Sequence, residues 1–143
     1  MYQRDYILRM IEMLGDFIRA IMGWIKKGEL EKASEILERA YYEVLRQDAS
    51  FFHLIPKNEL TTKLIQEHNY TNGHLEMLAE LFYAEAELRF AKGNKTGCIE
   101  FYEKSLLLLE FVEKQTKTYS EEKKSKIEAI EKQLETLKRD IQE

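Results

Sequence analysis

Three histidines, one cysteine and one glycine-rich turn are the residues of this chain whose types and spacing could do chemistry. His68 and His74 flank a turn with Glu67 and Glu76 nearby, and His53 sits in an aromatic stretch. Imidazole and carboxylate together are what a divalent transition metal requires. The spacings argue against such a site. No Glu-x-x-His pair occurs, so the repeating unit of the di-iron helical bundles is missing, and His-Glu-x-x-His is absent too. The histidines read as turn and surface residues, and no metal or other cofactor is expected. Ligand or metal binding by the His53/His68/His74 region is the alternative function.

Gly93-Asn94-Lys95-Thr96-Gly97 contains the letters of a phosphate loop in the wrong order, and a helix pattern rather than a strand precedes it. It reads as the turn of a helical hairpin. Cys98 falls where a small buried residue is wanted, which predicts a packed, inert thiol. The carboxylates lie mainly on helix faces with lysine partners, the pattern of a solvated surface rather than of paired catalytic acids. Nothing here points to an enzyme.

The elements that carry these residues are helical. Six glycines and one proline in 143 residues supply too little turn chemistry for a many-stranded sandwich or barrel. Net charge is −4, and residues 113–143 carry equal numbers of basic and acidic groups, so the excess belongs to residues 1–112. No overall positive field draws the chain to nucleic acid, and glutamates interleave Lys114, Lys117, Lys123, Lys124 and Lys126. A lone cysteine excludes an intrachain disulfide. The apolar runs are too short to span a membrane, and Arg4, Asp5, Arg9, Glu12, Asp16 and Arg19 interrupt any signal-peptide core. A cytoplasmic protein with neither nucleic-acid nor membrane partners is expected.

Ile7, Met10, Leu14, Phe17, Ile21 and Trp24 predict a helix over about 2–26, and Ile11, Ile18 and Ile25 add a neighbouring apolar row. So broad a stripe requires two packing partners or another subunit. Gly28 ends that helix, and a second runs over about 29–48. Residues 49–57 break the periodicity, and Phe51, Phe52, Leu54 and Ile55 are expected to fold back onto the core. Asn58 is placed as the cap of a short helix to about residue 66. Helices over about 73–92 and 95–116 form a second hairpin about Gly93. Thr118 and Glu121 have capping-box spacing for a last helix, in which Ile127, Ile130, Leu134, Leu137 and Ile141 form a narrow heptad seam. The organisation is a helical domain over 1–118, with hairpins about 2–48 and 73–116, an irregular insert 49–72, and a C-terminal amphipathic helix over 119–143.

The hairpins repeat each other. Lys27-Gly28 aligns with Lys92-Gly93, Ala33 with Cys98, Glu35 with Glu100, Leu37 with Tyr102, and Ala40 with Ser105. A turn glycine is followed by small residues one or two turns apart with a bulky one between, which lets the paired helices lie close. Ala91-Lys92-Gly93-Asn94 through Phe101-Tyr102-Glu103-Lys104-Ser105-Leu106 resembles the turn and second helix of the tetratricopeptide repeat (TPR), and residues 26–45 are a weaker copy. Phe17, Ala20 and Trp24, then Phe82 and Ala86, stand at that family's large and medium positions. Ile21 departs from a usually small position, and Glu85 and Arg89 stand where apolar residues are expected. Residues 1–11 are similar to the start of a bacterial family of small helical proteins to which no activity is assigned. The resemblance implies an all-α, TPR-like right-handed superhelical array of antiparallel hairpins, with a C-terminal capping or coiled-coil helix.

In such an array the first helix of each pair lines the inner surface. Arg19, Met22 and Lys26 from one unit, with Tyr83, Glu87 and Phe90 from the other, are then the candidate partner-binding residues, a mixed aromatic and charged set suited to a helix or peptide. The expected function is a non-enzymatic adaptor or scaffold that binds a protein or peptide partner. The first helix and the Ile127–Ile141 seam are candidate self-association surfaces for a homodimer. The seam has a second reading, as a cap on the last hairpin.

Overall fold

The computed structural model describes residues 2–142 apart from 118 and 119. Among these the fold is all-α, with helices α1 (Tyr2–Lys26), α2 (Leu30–Leu45), α3 (Ala49–His53), α4 (Leu60–Thr62), α5 (Asn72–Ala91), α6 (Lys95–Thr116) and α7 (Glu121–Gln142) and no strand. The proposed Thr118–Glu121 capping box lies partly outside the described residues. At the start of α7 it is the Ser120 hydroxyl that accepts from the Lys123 amide, at 3.3 Å.

Both hairpins close in the same way. Gly28 and Gly93 adopt φ of 77° and 83°, the left-handed conformation that glycine reaches without steric cost. Their amides donate to Ile25 and Phe90 carbonyls, and the following amides of Glu29 and Asn94 donate back to Trp24 and Arg89. The same pattern of bonds satisfies the last carbonyls of α1 and of α5. Asn94 then caps α6 by accepting from the Gly97 amide at 2.9 Å. The glycine-rich letters thus form a helix stop and a helix start.

Antiparallel packing follows from these short turns. Lys32 lies over the Trp24 ring and Arg39 over Phe17, aligning α2 against α1. Tyr83 meets Tyr102, and the Ser105 hydroxyl donates to the Ala79 carbonyl at 2.8 Å, aligning α6 against α5. Ala33, Ala40, Cys98 and Ser105, the matched small residues of the repeat, are all fully buried. α5 is the central helix. It packs on α1, α2 and α6, and residues on nearly every side of it are buried. Ile7 of α1 rests on Gly73, where a Cβ would come within 3.2 Å of the isoleucine methyl.

The insert is more structured than its sequence suggests. Phe51 to Ile55 do not all fold inward. α3 turns Phe52 and, just beyond it, Ile55 into the core, and helical periodicity leaves Leu54 outside, 80% exposed. The helix expected from Asn58 is instead a 3₁₀ turn at Lys57–Glu59, the short α4, and a π turn at Lys63–Glu67. No Asn58 cap forms, because Pro56 occupies the N-cap position of that turn. α2 also ends earlier than residue 48, at Leu45, where Arg46 takes a left-handed φ of 61°.

α7 folds back along the second hairpin. Ile127, Ile130, Leu134 and Leu137 are buried in the common core, and only Ile141 of the heptad seam stays exposed. Lys123 pairs with Glu76, Lys126 with Glu80 and Lys138 with Glu103, which fixes the direction of α7 across α5 and α6.

Candidate functional site

Two regions concentrate polar chemistry beside apolar surface. The first is a groove of about 550 Å³ between α1, α5 and α7. Ile11, Leu14, Gly15, Ile18, Met77 and Leu109 supply its apolar lining, while Arg19 and the Lys123–Glu76 and Lys126–Glu80 pairs supply its polar rim. α1 lends this face because α5 and α2 cover only its first apolar row. Met10, Leu14 and Ile21 are buried, Ile18 and Ile25 are half-buried, and Ile11 is 41% exposed.

Of the six residues expected on an inner surface, Arg19 lines this groove. It is exposed and pairs with Asp16 of its own helix. Tyr83 is covered: Lys126 of α7 lies over its ring at 4.6 Å, and Tyr102 packs beneath at 5.6 Å. Burial, then the charges of Glu87 and Glu80, push the Tyr83 phenol up to about 12. Met22 and Glu87 are half-buried, Lys26 is exposed and Phe90 is 44% exposed beside the second hairpin turn. None of these four lines the groove. The fold-back of α7 narrows the surface to a groove walled by α1, α5 and α7, to which α6 adds Leu109.

The second region is built around Glu85, whose side chain is buried in the core between the hairpins. One carboxylate oxygen lies 2.7 Å from Nε2 of His53 in α3 and accepts from the Tyr41 hydroxyl of α2 at 3.2 Å. The other accepts from Nε of Arg89, one turn along α5, at 3.2 Å. Burial alone would raise the Glu85 pKa, but the hydrogen bond and charge of His53 and the charge of Arg89 together hold it below the usual carboxylate range. Burial, then the neighbouring Glu85 charge, raises the Tyr41 phenol.

Aromatic rings enclose the cluster. Tyr41 meets His53 edge-on at 5.4 Å, Phe101 meets it at 5.0 Å, and the Arg89 guanidinium lies 4.6 Å above Phe101. Lys104 is also buried, donating to the His53 carbonyl at 3.1 Å and pairing with Glu100 at 3.0 Å. Ser34, Glu38, His53, Glu85, Arg89 and Lys92 surround an open cleft of about 390 Å³ above it. Both Glu85 oxygens are engaged, so this carboxylate fastens the two hairpins and the insert together. The sequence signal for it is that Glu85 and Arg89 stand where the tetratricopeptide resemblance expects apolar residues. The partners His53 and Tyr41, and the burial of Lys104, had no signal of their own.

The remaining histidines are apart from this cluster. His68 meets Phe51 edge-on at 5.0 Å. His74 stacks on Tyr70 at 4.9 Å, and its Nδ1 accepts from the Thr71 amide at 3.0 Å, completing the cap of α5. No group of three His, Cys, Asp or Glu able to hold a metal forms among the described residues, so the three histidines are not assembled into one centre. Cys98 is buried, and desolvation followed by the Glu87 charge pushes its thiol up to about 11. Lys123 and Lys126 turn onto α5 rather than outward. No described helix is long and apolar enough to cross a membrane. Comparison of the chain with protein-family models, with curated proteins and with solved structures finds no match.

Proposed function

We propose that this chain is a non-enzymatic protein–protein interaction module, a small TPR-like adaptor of the bacterial cytoplasm that holds a protein or peptide partner. The observation that carries this reading is the groove between α1, α5 and α7, with an apolar floor and a rim of paired charges. Such a surface suits an amphipathic helix or extended peptide, whose apolar anchors bury in the floor while polar groups meet the rim. The matched glycine turns and the buried small residues of α2 and α6 support a repeat of the TPR type. The engaged oxygens of Glu85 and the raised Cys98 thiol support a non-catalytic role.

The test is capture from a lysate of the native host on the immobilised chain, compared with the double variant Ile11→Glu/Ile18→Glu. Circular dichroism first establishes that both are folded. A protein retained by the natural chain and lost from the variant supports the groove as the binding surface. Equal retention by both chains overturns it.

A further inference from the structure

The exposed row of α1 carries a second heptad. Leu8, Ile11, Gly15, Ile18, Met22 and Ile25 recur at steps of three, four, three, four and three, the spacing of a helix–helix seam. This row lies beside the buried one, and among the described residues no element covers it fully. Leu8 is 51% and Ile11 41% exposed, while Ile18, Met22 and Ile25 remain half-buried.

Charges along the edge of that seam say what would cover it. Asp5, Glu12, Arg19 and Lys26 recur every seven residues and are all exposed, acidic in the first half of α1 and basic in the second. A second α1 laid antiparallel brings Asp5 opposite Lys26 and Glu12 opposite Arg19, and the two-fold axis repeats both pairs. A register two residues, about 3 Å, from that of the charges and within reach of their long side chains sets Leu8 against Ile25, Ile11 against Met22 and Gly15 against Ile18. The edge is therefore complementary to itself in the antiparallel sense, which is the requirement of an isologous dimer.

Gly15 adds an independent point. A glycine in a helix interior costs about 1 kcal/mol relative to alanine. The fold of the single chain does not require it: a Cβ there would meet only the flexible end of Arg19, at 3.4 Å. At the centre of the seam a missing side chain lets a second helix approach closely.

We infer that two copies of this chain pair through antiparallel α1 helices, Ile11, Gly15 and Ile18 forming the contact and Glu12–Arg19 pairs fixing the direction. This deepens the reading of the chain as an interaction module, and rests on it, by naming a second copy as an occupant of the α1 face.

Sedimentation equilibrium of the full chain over the micromolar range tests the pairing. The natural chain sediments as a monomer–dimer equilibrium. Glu12→Arg places like charges together at two symmetric positions and weakens the dimer about tenfold. The charge swap Glu12→Arg/Arg19→Glu restores it to within about threefold of the natural chain. Gly15→Leu gives a folded monomer, its helicity checked by circular dichroism. A natural chain that is monomeric throughout overturns the pairing, as does a dimer that Glu12→Arg leaves intact or the swap fails to restore. A monomeric natural chain that still retains a host protein, lost from Ile11→Glu/Ile18→Glu, fails the pairing alone, and a dimer that retains no host protein fails the partner-binding reading alone.

Discussion

Nε2 of His53 and a carboxylate oxygen of Glu85 lie 2.7 Å apart, joining the insert to the central helix of the second hairpin. Tyr41 brings the first hairpin to the same carboxylate, so one side chain fastens three parts of the chain. Removing it leaves imidazole, phenol and guanidinium without their common acceptor. Glu85→Ala should destabilise the protein by about 3 kcal/mol, and Glu85→Gln by about 1–2 kcal/mol because an amide still accepts. His53→Ala, which leaves Arg89 and Tyr41 in place, should cost less than Glu85→Ala. Urea unfolding midpoints at neutral pH give the order.

Acid should release the same fastening. The folded Glu85 carboxyl is held below its ordinary range, so its contribution is fully present above the unfolded value of about 4.3 and is lost as pH falls through the folded one. The urea midpoint of the natural chain should drop below about pH 4.3. Glu85→Gln should show a shallower drop across the same window.

His74 acts in a different window. Burial lowers its pKa from 6.5, and Nδ1 is the acceptor for the Thr71 amide. A depressed folded pKa means that the stabilisation is present above about 6.5 and is lost as pH falls further. The cost is about 0.5–1 kcal/mol, that of a helix cap. Hydrogen exchange at the first amides of α5, corrected for intrinsic rates, should quicken from pH 7.5 to 5.5. His74→Gln should abolish that pH dependence.

Cys98 should resist thiol reagents in the folded state. With the thiol pushed up to about 11 and the sulfur buried, labelling at pH 8 should run roughly a hundredfold slower than in denaturant. An aromatic disulfide reagent followed by absorbance reads both rates.

Truncation after Lys117 should damage the fold rather than merely alter assembly. It removes Ile127, Ile130, Leu134 and Leu137 from the common core and uncovers the faces of α5 and α6 beneath them. The loss should exceed about 4 kcal/mol, seen as a lower melting temperature or aggregation. A shortened chain that melts unchanged would show that the seam serves another purpose.

The long helices were legible in the sequence because their apolar residues keep the 3.6 period and because Gly28 and Gly93 mark where the chain reverses. The insert was legible only as a region. Four of the five residues from Phe51 to Ile55 are apolar, so periodicity could not separate the buried Phe52 and Ile55 from the exposed Leu54. The π turn at Lys63–Glu67 has no compositional mark. Glu85 and Arg89 were visible as misfits at apolar positions, but a misfit does not name its partner. His53 lies 32 residues from Glu85, and only tertiary packing brings them together. The expectation of Tyr83, Glu87 and Phe90 on one inner face rests on the tetratricopeptide resemblance, which carries no information about where α7 returns.

The matched glycine turns also set an order of assembly. Each hairpin is made of helices adjacent in sequence, α1 with α2 and α5 with α6, so its contacts close short loops and should form early. The carboxylate of Glu85 joins Tyr41 and His53 across 44 and 32 residues, and that longer closure has to wait for both hairpins. Substitutions at Glu85 should therefore quicken unfolding far more than they slow folding. The buried acid acts as the latch on two units already built, and it governs how long the finished protein stays closed.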